Sequence, residues 1–178
     1  MIGFDIDGVL ADSFFLVREM AKTDFGVDLL NHLNGYHISV PGLSTVQVKL
    51  YYRTILQFYY KRISPYPDAI DLMRQFKNRK VNLITSRQPS LRKETERWLR
   101  ENLKINNYQL FFSERKIEEV LTLGLKFFVE DRLATANDLA GVLELVFLPN
   151  RPWNIGRETA KNVVRIDSLL EIKNYVDI

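Results

Sequence analysis

Short apolar runs alternate along the chain with longer amphipathic stretches. The runs fall at residues 2–6, 81–85, 110–112, 127–129 and 143–148. Each is short and rich in Val, Ile, Leu and Phe, as strands buried on both faces are. Between most of them lie segments of helical length with one apolar face. This alternation predicts an α/β fold, a doubly wound Rossmann-like parallel sheet with helices on both sides. Ser90 is placed to cap a helix running through Trp98 and Leu99, since its hydroxyl can accept from a free first-turn amide. Pro65, Pro67 and Asp68 prepare a helix carrying Ile70, Leu72, Met73 and Phe76, and Gly124 closes one carrying Ile117, Val120 and Leu121. Residues 163–166 predict an edge strand and residues 169–175 a closing helix.

Residues 12–64 break the rhythm. They hold no strand pattern, only two helical ones around a polar loop. The first carries Phe14, Val17 and Met20, and the second carries Val46, Leu50, Ile55 and Phe58. The loop contains Asn31, Asn34, Gly35, Pro41 and Gly42. The predicted division is a core of residues 1–11 plus 65–178, with residues 12–64 as a small helical insertion between the first and second strands. Such an insertion either caps the carboxyl ends of the strands, where ligands bind, or packs against the sheet as ordinary core.

Composition narrows the class. Of 178 residues, 46% are hydrophobic and 26% charged, the balance of a globular domain rather than of a disordered or collagen-like chain. There is no cysteine, which removes disulfides, thiolate metal sites and thiol nucleophiles. The net charge is only +3, and basic residues sit among acids, as in Arg92-Lys93-Glu94. A nucleic-acid polymer binder gathers them into a block or stripe. No apolar run approaches the ~20 residues of a membrane helix, and the N-terminus lacks the zones of a signal peptide. The expectation is a cytoplasmic protein that binds neither a nucleic-acid polymer nor a membrane.

Candidate chemistry begins at the end of the first strand, in Ile2-Gly3-Phe4-Asp5-Ile6-Asp7-Gly8. Two acids two residues apart on a strand point to one side, and Gly8 lets the chain turn with no side chain in the way. Paired carboxylates repel unless a cation or a shared proton relieves them. A divalent ion is implied, most naturally Mg²⁺, which takes oxygen ligands and keeps waters that a phosphate can displace. Three later strand ends extend the pattern. Thr85-Ser86-Arg87 offers hydroxyls and amides for phosphate oxygens, Lys116 offers a cation near a helix start, and Glu130-Asp131 offers a second acid pair. In a doubly wound sheet these ends converge on one crevice.

In that order, DIDGV, LITSR, Lys116 and FFVEDR, the chain resembles the haloacid dehalogenase superfamily of aspartate-nucleophile phosphatases. The four motifs span residues 2–131. More narrowly, DIDGVLAD, ITSR with the following Pro89, KETERWL and FFVEDR are similar to its 5′(3′)-deoxyribonucleotidase-like branch. There a helical cap between the first two motifs selects the substrate. The resemblance implies that Asp5 attacks phosphorus, and that Asp7 protonates the leaving alkoxide and then activates water. It implies Mg²⁺ held by Asp5, the backbone carbonyl of Asp7, and Asp131. Thr85, Ser86 and Lys116 would bind the phosphoryl oxygens. Two positions depart from the pattern. Glu130 stands where many relatives have aspartate, and Arg115 precedes Lys116. A compact ammonium suits a phosphoryl oxygen beside an acid, which favours Lys116.

The insertion is rich in rings, namely Phe14, Phe15, Tyr36, Tyr51, Tyr52, Phe58, Tyr59 and Tyr60. They could stack on a nucleobase. Alternatively, an amphipathic helix over residues 46–61 buries Phe58 and Tyr59 in the core and exposes the rest. Three readings follow: a Mg²⁺-dependent 5′-nucleotidase acting on (deoxy)nucleoside monophosphates, the same chemistry on another small phosphomonoester such as a sugar phosphate, and a phosphate-binding module without turnover. Intact Asp5, Asp7, Thr85, Lys116 and Asp131 count against the last. A dehalogenase has no use for the second acid and metal ligands. The segment Asn150-Arg151-Pro152-Trp153-Asn154 resembles a loop of the same branch, and its local chemistry reads as a rigid surface turn anchored by Trp153.

Overall fold

Strand β1 (Ile2–Phe4) is buried along its whole length, as its apolar run requires. In this computed structural model, which describes residues 1–35, 37–76 and 79–177, β1 sits inside a six-stranded parallel sheet. Its partners are β4 (Val81–Thr85), β5 (Tyr108–Phe112), β6 (Phe127–Val129), β7 (Leu145–Pro149) and β8 (Val163–Ile166). The order is β5-β4-β1-β6-β7-β8. From β1 the chain passes to β4 and β5 on one side, and from β6 to β7 and β8 on the other. The connections therefore diverge between β1 and β6, and a crevice opens outside the carboxyl ends of that pair. The register pins it, with Gly3 opposite both Asn82 and Phe128.

Successive strand residues face opposite sides, so one core forms on each face. Phe4, Leu83, Val129 and Phe147 join one; Ile84, Phe128, Val146 and Leu148 join the other. Helices α3 (Pro67–Gln75) and α4 (Arg92–Trp98) cover the first face, and α5 (Lys116–Thr122) and α6 (Leu133–Ala140) the second. Gly124 ends α5 in a left-handed conformation, as its place in the sequence predicts.

Between Asp12 and Ser64 the chain forms α1 (Ser13–Phe25), β2 (Leu33–Asn34), β3 (His37–Ile38) and α2 (Thr45–Phe58). Its exit and return lie side by side. The amide of Asp12 donates to the carbonyl of Ser64 at 2.8 Å, and that of Tyr66 to Leu10 at 3.0 Å. The indole of fully buried Trp98 donates to the carbonyl of Ile63 at 2.8 Å, anchoring the return.

Several local expectations need correction. Segment 12–64 does contain strands: β2 and β3 pair as an antiparallel hairpin, too short to leave a period-two pattern. Ser90 caps nothing, because Pro89–Leu91 forms a 3₁₀ turn and α4 starts at Arg92. The first strand stops at Phe4 rather than residue 6, since the carbonyl of Ile6 accepts the amides of Val9, Leu10 and Ala11 in a tight turn. The closing helix is a 3₁₀ segment, Leu169–Asn174. The largest miss concerns α2, whose buried residues are Val48, Ile55 and Leu56, while Val46, Leu50, Phe58 and Tyr59 are exposed. Both faces of α2 are apolar, so spacing could not choose between them. Contacts to α1 choose: Tyr52 bonds Ser13 at 2.8 Å and Tyr51 bonds Asp24 at 2.6 Å. Tyr36 lies outside the described residues. Among the described residues no helix is long and apolar enough to cross a membrane.

Candidate active site

The turn after β1 delivers Asp5 and Asp7 to the crevice. Asp5 is buried, and its Oδ1 accepts the amide of Ile6 at 2.7 Å. Gly8 follows with φ +78°, and a Cβ there would lie 2.1 Å from Oδ2 of Asp131. Only glycine allows the β1 turn to press against that carboxylate. From the end of β6 come Glu130 and Asp131, both buried. Asp5, Glu130 and Asp131 each offer an oxygen, and these atoms lie within 4.8 Å of one another.

Lys116, the first residue of α5, enters from the side. Its Nζ lies 2.8 Å from Oδ2 of Asp5 and 2.6 Å from Oε2 of Glu130. A cation at a helix start is disfavoured by the helix dipole, and the two carboxylates offset that. Neighbouring Arg115 points away, its side chain 86% exposed. Thr85 is buried at the end of β4, where its Oγ1 accepts the amide of Arg87 at 3.2 Å. Ser86 is exposed beside it. Asp7 is gripped by a residue absent from the predicted set: Arg87 donates to its two oxygens at 2.8 and 2.7 Å, and to Oγ1 of Thr95 at 3.1 Å.

A cavity of about 290 Å³ opens over this floor. Asp7, Gly8 and Asp131 line its base; Phe14, Leu33, Ile38, Val48 and Tyr52 from segment 12–64 line its walls, with Lys49 and His37 among its polar groups. Trp153 completes one wall, its ring 4.9 Å from that of Phe14.

Solved structures share this architecture. The chain is similar to CbbY from Rhodobacter sphaeroides, solved in complex with phosphate: TM-score 0.62, 16% identity, covering 96% of this chain and 95% of that one. It is also similar to an L-2-haloacid dehalogenase, with TM-score 0.64, 13% identity, and 98% and 97% coverage. The chain therefore shares the fold of these two proteins. In sequence, it is 25% identical to a protein of Halalkalibacterium halodurans provisionally named a nucleotidase, over 98% of this chain and 91% of that one. No protein-family model matches the chain.

In this fold the electrostatics of the site are unbalanced. Burial is the largest force on Asp5; Lys116 opposes it, the charges of Glu130 and Asp7 reinforce it, and the pKa rises from 3.8 to about 7. Asp131 is also pushed up, by burial first and then by Glu130 and Asp5. Burial works against the Lys116 ammonium, but Asp5 and Glu130 more than offset it and raise its pKa. Three buried acids thus face one lysine. That donor set, all carboxylate oxygen with excess negative charge, fits a hard dication such as Mg²⁺.

A pH dependence follows. A carboxyl whose pKa is raised on folding binds its proton more tightly in the native state, so stability falls as pH climbs from the unfolded value towards the folded one. Metal-free protein in chelator should therefore lose stability as pH rises from about 4 to about 7 through Asp5. Melting temperatures across that range check this, and Mg²⁺ should flatten the decline.

Sequence reasoning missed Arg87 as a partner of Asp7, and it read the 150–154 turn as anchored by Trp153, which is buried, without foreseeing that the turn reaches the acids. Trp153 is buried and its indole N–H donates to Oδ2 of Asp131 at 2.8 Å. Asn154 Nδ2 donates to the carbonyls of Asp131 and Pro149 at 2.8 and 2.9 Å. Arg151 Nε donates to the carbonyl of Gly8 at 2.8 Å, with its guanidinium over the Tyr66 ring at 3.9 Å. One signal was available: this turn follows β7, so it leaves the same edge of the sheet as the acids.

Proposed function

We propose that the protein is a Mg²⁺-dependent phosphomonoester hydrolase with Asp5 as nucleophile, acting on (deoxy)nucleoside monophosphates. The observation that carries this reading is the buried Asp5–Glu130–Asp131 trio, with Lys116 spanning Asp5 and Glu130. The ion, held by Asp5, the Asp7 carbonyl and Asp131, would supply charge neutralisation between carboxylate and phosphate. An Oδ of Asp5 attacks phosphorus, the ester P–O bond breaks, and an aspartyl-phosphate forms. Asp7, held by the Arg87 fork between turnovers, leaves it to act as acid: protonated by solvent, it gives that proton to the departing alkoxide and then takes one from the water that attacks phosphorus and frees Asp5. Thr85 and Lys116 bind phosphoryl oxygens, and Ser86 stands at the rim of that site.

Segment 12–64 acts as the cap. Its rings and aliphatic side chains form most of the cavity wall, which suits a leaving group with a flat apolar face. The relative provisionally named a nucleotidase agrees with that choice. The Asp7–Arg87 pair and the acid trio favour phosphoryl transfer over carbon–halogen displacement. The test is hydrolysis of a panel of ribo- and deoxyribonucleoside monophosphates and sugar phosphates, with Mg²⁺ and with chelator. Nucleoside monophosphates should lead the panel, and chelator should abolish turnover. Sugar phosphates in the lead would move the reading to that substrate class, and no turnover of any ester would end it.

A further inference from the structure

Trp153 touches the metal-ligand set and the cavity together. It is buried in the turn after β7, its N–H on Asp131 and its ring against Phe14 of α1. The neighbouring turn residues hold the same two loops: Asn154 fixes the backbone of Asp131, and Arg151 the carbonyl of Gly8. Asp131 needs such support. One of its oxygens lies within 4.8 Å of oxygens on Asp5 and Glu130, acids that repel it when ionised, and Gly8 packs against its Oδ2. An indole N–H can only donate, so it holds one oxygen of Asp131 in place without competing for the ion.

We infer that Trp153 is a positioning residue for the metal site, fixing the Asp131 carboxylate so that it faces Asp5 and Glu130. Partners that hold a ligand from outside the coordination sphere typically change metal affinity 10–100-fold when removed. The inference rests on the proposed Mg²⁺ site, and the experiment separates the two.

Trp153→Phe keeps a ring against Phe14 while deleting the N–H donor and part of the indole's volume. Calorimetric titration with Mg²⁺ should show binding weakened about tenfold or more, at a melting temperature that leaves the variant folded. A second measurement needs no variant. The chain has two tryptophans, and the other, Trp98, donates to Ile63 away from the acids. In ¹H–¹⁵N spectra of wild-type protein, Mg²⁺ should shift the Trp153 indole signal and leave that of Trp98 in place. Wild-type Mg²⁺ affinity in Trp153→Phe, or an unmoved Trp153 indole signal in a protein that does bind Mg²⁺, overturns the positioning role alone. A wild-type protein that binds no Mg²⁺ overturns the metal site as well.

Discussion

Asp5→Asn should lower phosphatase turnover by about a thousandfold or more, the scale on which removal of a covalent nucleophile acts. The amide matches the carboxylate in shape and still accepts the Ile6 amide, but it has no anionic oxygen to attack phosphorus. Loss of fold is not the cause. The ionised Asp5 carboxylate is costly in the folded state, because burial and its acidic neighbours raise its pKa to about 7. A neutral amide removes that cost and gives up the Lys116 contact at 2.8 Å, while Glu130 still pairs with the ammonium at 2.6 Å, so the variant should stay folded at pH 8 in chelator. Steady-state assay beside a melting curve checks both halves, and ordinary turnover in Asp5→Asn would remove the nucleophile assignment. Asp7→Asn should fail differently. With an aryl phosphate, whose phenolate leaves without a proton donor, Asp5 should become phosphorylated and stay so. Mass spectrometry of acid-quenched protein reads that accumulation.

Lys116→Met should damage stability as well as activity. It leaves Asp5 and Glu130 buried without the ammonium that lies 2.8 and 2.6 Å from them. Breaking a buried ion pair from one side typically costs about 3–5 kcal/mol, since the remaining charges stay desolvated. The sign with pH distinguishes this from simple loss of packing. Without Lys116 the Asp5 pKa rises further, the folded state binds that proton more tightly than the unfolded one, and acid restores stability. Urea unfolding in chelator should thus show the full loss at pH 8 and a smaller one at pH 5, with Mg²⁺ recovering part of it. A loss equal at both pH values would mean that the lysine acts through its methylenes rather than its charge.

The order of chemistry along the chain was legible because it depends on local rules. Apolar runs marked the strands, and in a doubly wound sheet the carboxyl ends of strands share one edge. Asp5, Thr85, Lys116 and Asp131 could therefore be placed near one another with no contact in view. Lys116 was preferred to Arg115 for the phosphate as a compact cation beside an acid, and the structure sets Lys116 rather than Arg115 against Asp5. The same rules failed on α2: Val46, Leu50 and Phe58 keep helical spacing as well as Val48, Ile55 and Leu56 do, and only the packing of Tyr51 and Tyr52 on α1 separates the two faces.

By itself, then, the sequence determined the α/β alternation, the sheet edge on which the acids emerge, and the residue types that can hold a dication and a phosphoryl group. Tertiary structure alone decided which groups hold those residues: the Arg87 fork on Asp7, Lys116 between Asp5 and Glu130, and Trp153 on Asp131. The reason is range. Strand period and turn chemistry act over a few residues, whereas these partners stand 80, 111 and 22 positions from the acids they orient, counting Lys116 from Asp5. Hydrogen bonds of that kind leave no spacing in the chain for a reader to find.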